Sequence, residues 1–216
     1  MVQQEGGQAG GPRRHRIRLD ISRKASLLFR EQGVDVTSGD QIANAAGLST
    51  RTIWRHFRSK ESCAEPIFAR GMDWEMFSLR SWPPELSLDD HFVSSSLKYA
   101  RGITDAQRAD DLLASQMIRL AHREPALRAV WLTACDDMER EMAEIFERRI
   151  IAPADRIEIR MFASMACGVI RVMREEVGER VLSSGSEHQL KDAASRIACA
   201  VRRATGGAIG DPVISK

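Results

Sequence analysis

The sequence predicts an all-α protein in which a three-helix N-terminal helix-turn-helix domain precedes a larger C-terminal helical domain, about nine helices in total. Three observations lead there. Apolar residues recur at helical spacing along most of the 216-residue chain. Capping boxes led by serine, and Gly or Pro breakers, divide these stripes at intervals suited to helices. No apolar/polar alternation runs long enough for a strand.

Residues 1–12 are rich in Gly and Gln and poor in apolar residues, so a disordered tail is expected. Arg13, Arg14, Arg16 and Arg18 follow, readable either as a solvated run or as an arm reaching phosphates or a minor groove. A first helix over about 15–32 carries Ile17, Ile21, Ala25, Leu28 and Phe29 on one stripe and stops at Gly33. Ser38 and Gln41 form an S-x-x-Q box that starts a second helix, with Ile42, Ala43 and Ala46 toward the core. Gly47 supplies a sharp turn and Ser49 caps a third helix. There Ile53 and Phe57 mark the buried side, while Thr50, Arg51, Trp54 and Arg55 share the outer one. Ser59 caps a fourth helix of about 60–80, ended by Pro83–Pro84.

Further helices are expected at about 88–101, 105–121, 125–150, 154–177 and 187–204, separated by Gly102, Pro125, Pro153 and the Ser183–Gly185 cluster. The stripe Leu127, Trp131, Ala134, Met138, Met142, Ile145, Phe146 and Arg149 runs for about 33 Å at about 1.5 Å per residue. The helix at 154–177 is apolar on more than one face, with Ser164 and Gly168 as small residues four apart. The domain boundaries expected are 1–14 (tail), 15–62 (helix-turn-helix), 63–205 (ligand binding and dimerisation) and 206–216 (flexible tail).

Hydrophobic residues make up 43% of the chain and charged residues 29%, ordinary for a globular protein. No apolar run reaches the roughly 18–20 residues that span a bilayer, and the N-terminus lacks the apolar core of a secretory signal. A cytoplasmic protein without membrane partners is expected. The net charge of +2 conceals an asymmetry: residues 1–60 hold 11 Lys/Arg against 5 Asp/Glu, leaving 21 against 25 of the chain totals of 32 and 30. A basic front before an acidic rear suits contact with a polyanion. Cys63, Cys135, Cys167 and Cys199 form no CxxC pair and read as reduced, partly buried thiols. The dispersed histidines, and the lack of HExxH, P-loop, GxSxG or GxGxxG motifs, give no catalytic residue, metal site or cofactor to expect.

A helix entering the major groove needs short or hydrogen-bonding side chains in its first turn. Thr50 and Thr52 meet that need, and Arg51 and Arg55 can take guanine bidentately or grip phosphate. Trp54 and His56 carry donors suited to phosphate or sugar. Lys60 and the helix start at Thr37, Ser38 and Ser49 complete the candidate DNA-binding set.

The linked motifs Leu28–Phe29–Arg30–Glu31–Gln32–Gly33, Thr37–Ser38, Ile42–Ala43–Asn44–Ala45–Ala46–Gly47–Leu48–Ser49, Arg51–Thr52–Ile53–Trp54–Arg55–His56–Phe57 and Ser59–Lys60–Glu61 stand in unbroken order. In them the stretch Arg18–Ser62, about a fifth of the chain, resembles the DNA-binding domain of the TetR family of transcriptional regulators. Two positions depart from the family pattern. Trp54 stands where a tyrosine is usual, a change that can alter a phosphate contact. Gly39 stands where an apolar residue is usual, which is expected to loosen the second helix. The resemblance implies a homodimer reading a near-palindromic double-stranded DNA operator, a C-terminal pocket for a small-molecule effector, and a four-helix dimer interface from the last two long helices.

The rear is rich in Met and Trp, which serve either as core or as an adaptable apolar pocket. Trp74, Phe77, Met117, Trp131 and Met138 are the pocket candidates, with Arg119 and His122 as polar anchors. Phe162, Met165, Gly168, Val169, Ile197 and Val201 are the dimer candidates. The expected protein is a regulator, most simply a repressor released by a hydrophobic effector. The alternatives are a dimeric interaction module that has lost operator binding, or an all-α enzyme that binds a small molecule.

Overall fold

A computed structural model describes residues 10–150 and 154–213. Among them are eleven α-helices, one 3-10 turn and no strand. Residues 1–9 of the expected N-terminal tail, the Pro153 break and residues 214–216 lie outside this range.

The reader unit is α1 (Gly10–Gln32), α2 (Gly39–Ala46) and α3 (Thr50–His56). Helix α1 begins five residues earlier than periodicity suggests, so Arg13, Arg14 and Arg16 lie on a helix, not in an arm ahead of one. Ile21, Ala25 and Phe29 of α1 are buried with Ile42 and Ala43 of α2 and Ile53 of α3, the stripes that spacing assigns to the core. The box at Ser38 forms: its Oγ accepts from the Gln41 amide and the Gln41 side chain accepts from the Ser38 amide. Such a cap contributes on the order of 1 kcal/mol. Gly39 therefore opens an intact helix, contrary to the expected loosening.

The expected fourth helix is three pieces: a 3-10 turn at Glu61–Ala64, α4 (Glu65–Gly71) and α5 (Asp73–Arg80). The end of α4 packs closely against α7 (Asp105–Ala121). A Cβ on Gly71 would stand 2.7 Å from the Ala114 Cβ, so only glycine lets α4 lie this close to α7. The body continues with α6 (Leu88–Gly102), α7 (Asp105–Ala121), α8 (Pro125–Glu147), α9 (Arg156–Glu176), α10 (Gly178–Ser184) and α11 (Glu187–Ala204). Helix α10 was not expected; its seven residues are too few to show a period. Helix α8 pairs with α9, and α11 lies across α6 and α9.

The expected flexible tail from 206 is instead docked through residue 213. Ile209 is buried, the Leu88 amide donates to the Gly210 carbonyl, the Val213 amide to that of Pro84, and Arg202 forms a two-point ion pair with Asp211. No helix of the described residues is long and apolar enough to cross a membrane. Cys63, Cys135 and Cys167 are buried, Cys199 is exposed, and none forms a disulfide.

Candidate nucleic-acid interface and effector cavity

The turn between α2 and α3 is fixed by backbone. Gly47 takes φ 65°, ψ 33°, a left-handed conformation open to glycine, and the Leu48 amide returns to the Ala43 carbonyl at 2.9 Å. Ser49 then caps α3, its Oγ accepting from the Thr52 amide and lying 2.9 Å from the Thr52 Oγ1. With Ile53 and Phe57 anchored in the core, Thr50, Arg51, Thr52, Trp54 and Arg55 line one outward hollow. A second hollow beside it is lined by Arg13, Arg14, Ile17, Arg55 and His56. Arg55 belongs to both, so the basic surface of α1 continues onto α3.

Other candidates are committed elsewhere. Thr37 is buried, its hydroxyl donating to the Gly33 carbonyl at 2.7 Å and accepting from Gln32. Lys60 reaches back to the α1–α2 connection, its Nζ donating to the Val34 carbonyl at 2.7 Å and the Asp35 carbonyl at 3.0 Å. Both hold the loop that aims α2. Thr50 donates its hydroxyl to Asp40 at 2.6 Å, which leaves its methyl as the uncommitted group. Arg18 is no free arm residue: it stacks over the Phe57 ring, donates to the His56 carbonyl at 2.5 Å and pairs with Glu65. His56 makes no ring hydrogen bond, and burial, then the charges of Arg55, Arg14 and Arg18, lower its pKa. Ser38, Arg51, Trp54 and Arg55 are exposed.

Position 39 is the feature sequence reasoning misread. The Trp54 ring lies against the Gly39 backbone, where a Cβ would stand 2.2 Å from Cζ2. The signal was present as two unusual residues near one another, but periodicity does not say that they touch.

The body holds a half-open cavity of about 80 Å³ among α4–α7 and α9–α11. Of the expected pocket residues only Trp74 lines it. Met117, Trp131 and Met138 are buried core, and Phe77 is 63% exposed on the opposite account. The Trp131 indole donates to Glu175 at 2.8 Å. Burial pushes the Glu175 pKa up, but bonds from Trp131 and Arg128 and the charges of Arg128 and Arg171 outweigh it and leave the carboxyl below its ordinary range. Arg119 pairs with Glu179 and His122 lies 4.0 Å from Glu175, neither in the cavity.

The cavity's polar wall was missed. Arg174 forms a two-point pair with buried Glu75 at 2.7 and 2.6 Å. Asp111 accepts from the Tyr99 hydroxyl at 2.7 Å and lies 3.4 Å from Arg70. Burial raises the Asp111 pKa, against the opposing pull of Tyr99 and Arg70. Charges at stripe positions are the signal that could have found them: Arg174 follows Ile170 by four, and Asp111 precedes Ala114 and Ile118 on one face. Next to Asp111, Asp110 turns the other way and takes a two-point bond from Arg23 of α1 at 2.8 and 2.7 Å.

Four of the exposed large apolar residues, Ile157, Met161, Met165 and Val172, fall on one face of α9. Gly168 continues the face, and Phe162 and Val169 are half-buried. Ile197 and Val201 turn inward: both are buried, and Ile197 lines the cavity. The outer side of α11 is polar, with Lys191, Asp192, Arg196, Arg202 and Arg203 exposed, so the surface apolar stripe is on α9 alone.

The described residues thus combine a glycine-turned, basic helix-turn-helix with a cavity-bearing helical body. Residues 21–67 match the family model for bacterial regulatory proteins of the tetR family. In this domain the chain is similar to the TetR family. It is 32% identical over 138 residues, 62% of this chain, to the HTH-type transcriptional regulator TcmR of Streptomyces glaucescens. That match spans 60% of TcmR's length. Among solved structures, TylP, a tetR regulator from Streptomyces fradiae, superposes with a TM-score of 0.51 at 18% identity, covering 91% of this chain and 88% of that one. FadR of Thermus thermophilus, a TetR-family repressor solved with lauroyl-CoA, gives 0.50 at 18%, covering 92% and 98%. At these identities the two structures speak to the fold alone.

Proposed function

We propose that the protein is a transcriptional regulator of the cytoplasm that binds a near-palindromic operator as a homodimer. It represses, and a small hydrophobic effector releases it. The observation that carries this reading is the outer face of α3, where Thr50, Arg51, Thr52, Trp54 and Arg55 share one hollow continuous with Arg13 and Arg14. Arg51 and Arg55 are free to meet base edges, Arg13 and Arg14 to meet phosphate, and Ser38 with the first amides of α2 to hold a second phosphate.

One copy presents too few base contacts to single out a site, so a second must be held at a fixed spacing of one or more DNA turns, about 34 Å each. The α9 stripe supports a two-fold pairing, since an apolar face of this kind needs cover. Effector control needs a path from cavity to reader. Asp111 faces the cavity side and Asp110 grips α1, so a small rotation of α7 moves both contacts together. FadR's binding of lauroyl-CoA is a precedent in kind for a ligand in this fold, not for the ligand here.

Footprinting on DNA flanking the protein's own gene tests the proposal. A protected near-palindrome is expected, weakened by Arg51→Ala and by rising salt. Absence of protection at low salt with dimeric protein would instead favour an interaction module that has kept the motif without its operator.

A further inference from the structure

The chemistry of the cavity wall narrows what it can hold. Most of the lining is apolar, including Met173, Val177, Val181, Leu182, Leu190 and Ala193. Its charges are already matched. Glu75 is spent on Arg174, and Asp111 on Tyr99 and Arg70. An entering carboxylate would have to displace Glu75 from Arg174, and an ammonium would have to displace Arg70 or Tyr99 from Asp111. Either would otherwise be buried unpaired, which is strongly disfavoured.

One donor of the lining is left over. Trp74 lines the cavity, and its indole N–H is buried with no hydrogen-bond partner. The ring is held edge-on to Phe92 with centroids 5.3 Å apart, so it is a fixed donor rather than a mobile one. The Ser115 hydroxyl is also buried without a partner and would stand 3.5 Å from a Cβ on Gly178, another lining residue. Buried donors normally find acceptors, and here none of the described residues supplies one.

We propose that the cavity takes an uncharged, mainly apolar small molecule bearing a hydrogen-bond acceptor such as a ketone, which the Trp74 indole receives. This rests on the effector-responsive reading above and names the effector's chemical class. The volume adds a consequence. About 80 Å³ is roughly half that of an apolar cavity of ~150 Å³ known to admit benzene, so a ring-sized ligand must widen the site. A ligand that fits only a widened cavity distinguishes two conformations, as an effector must.

The test is calorimetric titration of the full chain with four probes of similar size: acetophenone, ethylbenzene, benzoate and benzylammonium. Acetophenone should bind most tightly, with both ions at least ten-fold weaker. Trp74→Phe should weaken acetophenone about five-fold, the scale of one hydrogen bond, and leave ethylbenzene unchanged. Retained ethylbenzene binding also shows that the variant folds; should Trp74→Phe not fold, Ala193→Leu, which fills the cavity, should abolish binding of both neutral probes. Benzoate or benzylammonium binding as tightly as acetophenone, equal acetophenone binding by Trp74→Phe, or no binding by any probe would overturn the proposal. Operator binding by the same preparation is read separately, so loss of the cavity assignment is distinguishable from loss of the DNA-binding assignment.

Discussion

Gly39 and Trp54 are one feature. A Cβ at position 39 would stand 2.2 Å from Cζ2 and 2.9 Å from Cη2 of the Trp54 ring, so the small residue at the start of α2 is what lets the large one on α3 lie flat. The indole covers the N-terminus of α2 while remaining 44% exposed on the outer face of α3. The two departures from the family pattern compensate each other, and neither is a defect in the motif.

It follows that Gly39→Ala pushes the ring outward. The ring is at the surface and can swing, so the stability cost is on the order of 1 kcal/mol, at the low end for overpacking. Operator affinity should fall about ten-fold on all sequences, because the displaced ring holds the backbone of α3 away from the groove. Trp54→Tyr removes the atoms that collide and should make Gly39→Ala nearly neutral. Gel-shift titration of the four proteins measures this, and equal cost of Gly39→Ala in both backgrounds would disprove the coupling.

Lys60 acts on the fold before it acts on DNA. Its ammonium ties the Val34 and Asp35 carbonyls to the start of the 3-10 turn. Lys60→Ala should cost about 1.5–3 kcal/mol in urea unfolding, the range for hydrogen bonds with one charged partner. Unchanged stability with weakened binding to every DNA sequence would return Lys60 to the role of a phosphate contact.

Arg23 and Asp110 join the reader to the body through a nearly buried carboxylate. Arg23→Gln leaves that carboxylate without its charged partner and should destabilise by about 2 kcal/mol. Asp110→Asn in the same chain should recover most of the loss, since a neutral amide needs no cation. A double variant as unstable as the sum of the singles would mean that the pair is incidental.

His91 gives the stability a pH dependence. It is buried, with Nε2 2.8 Å from the Ser78 carbonyl. Burial lowers its pKa, the Ser78 bond opposes, and Arg149 adds to the lowering. The unfolded chain, with a histidine pKa near ~6.5, therefore binds the proton more readily. The contribution of His91 is complete above that pH and is lost as pH falls from there through the folded pKa. Thermal midpoints taken between pH 7.5 and 5 should decline less for His91→Gln than for the parent. Parallel curves would show that His91 does not carry the effect.

The helices whose stripes, caps and breakers all agree were legible from sequence: α2 with its box at Ser38, α3 with its cap at Ser49, and α6 from Ser87. What was not legible depended on contacts between distant elements. The close approach of Gly71 to Ala114 and the docking of the segment around Ile209 beside α6 are of this kind. Met117, Trp131 and Met138 looked like pocket residues because large soft side chains suit cores and pockets equally. The polar part of the cavity wall comes instead from Glu75, Asp111 and Arg174, charged residues at core positions whose partners lie up to 99 residues away in the chain. On the helix-turn-helix, the outward placement of Arg51, Trp54 and Arg55 could be read directly, whereas the inward duties of Thr37, Lys60 and Arg18 could not.

Selection of duplexes from a random-sequence pool by the full chain tests the central claim most directly. The account predicts enrichment of an inverted repeat whose half-site centres lie about one or more helical turns apart, with Arg51→Ala relaxing preference within each half-site and Arg14→Ala weakening all duplexes alike. Enrichment of no sequence, or of a single unrepeated half-site by dimeric protein, would contradict it.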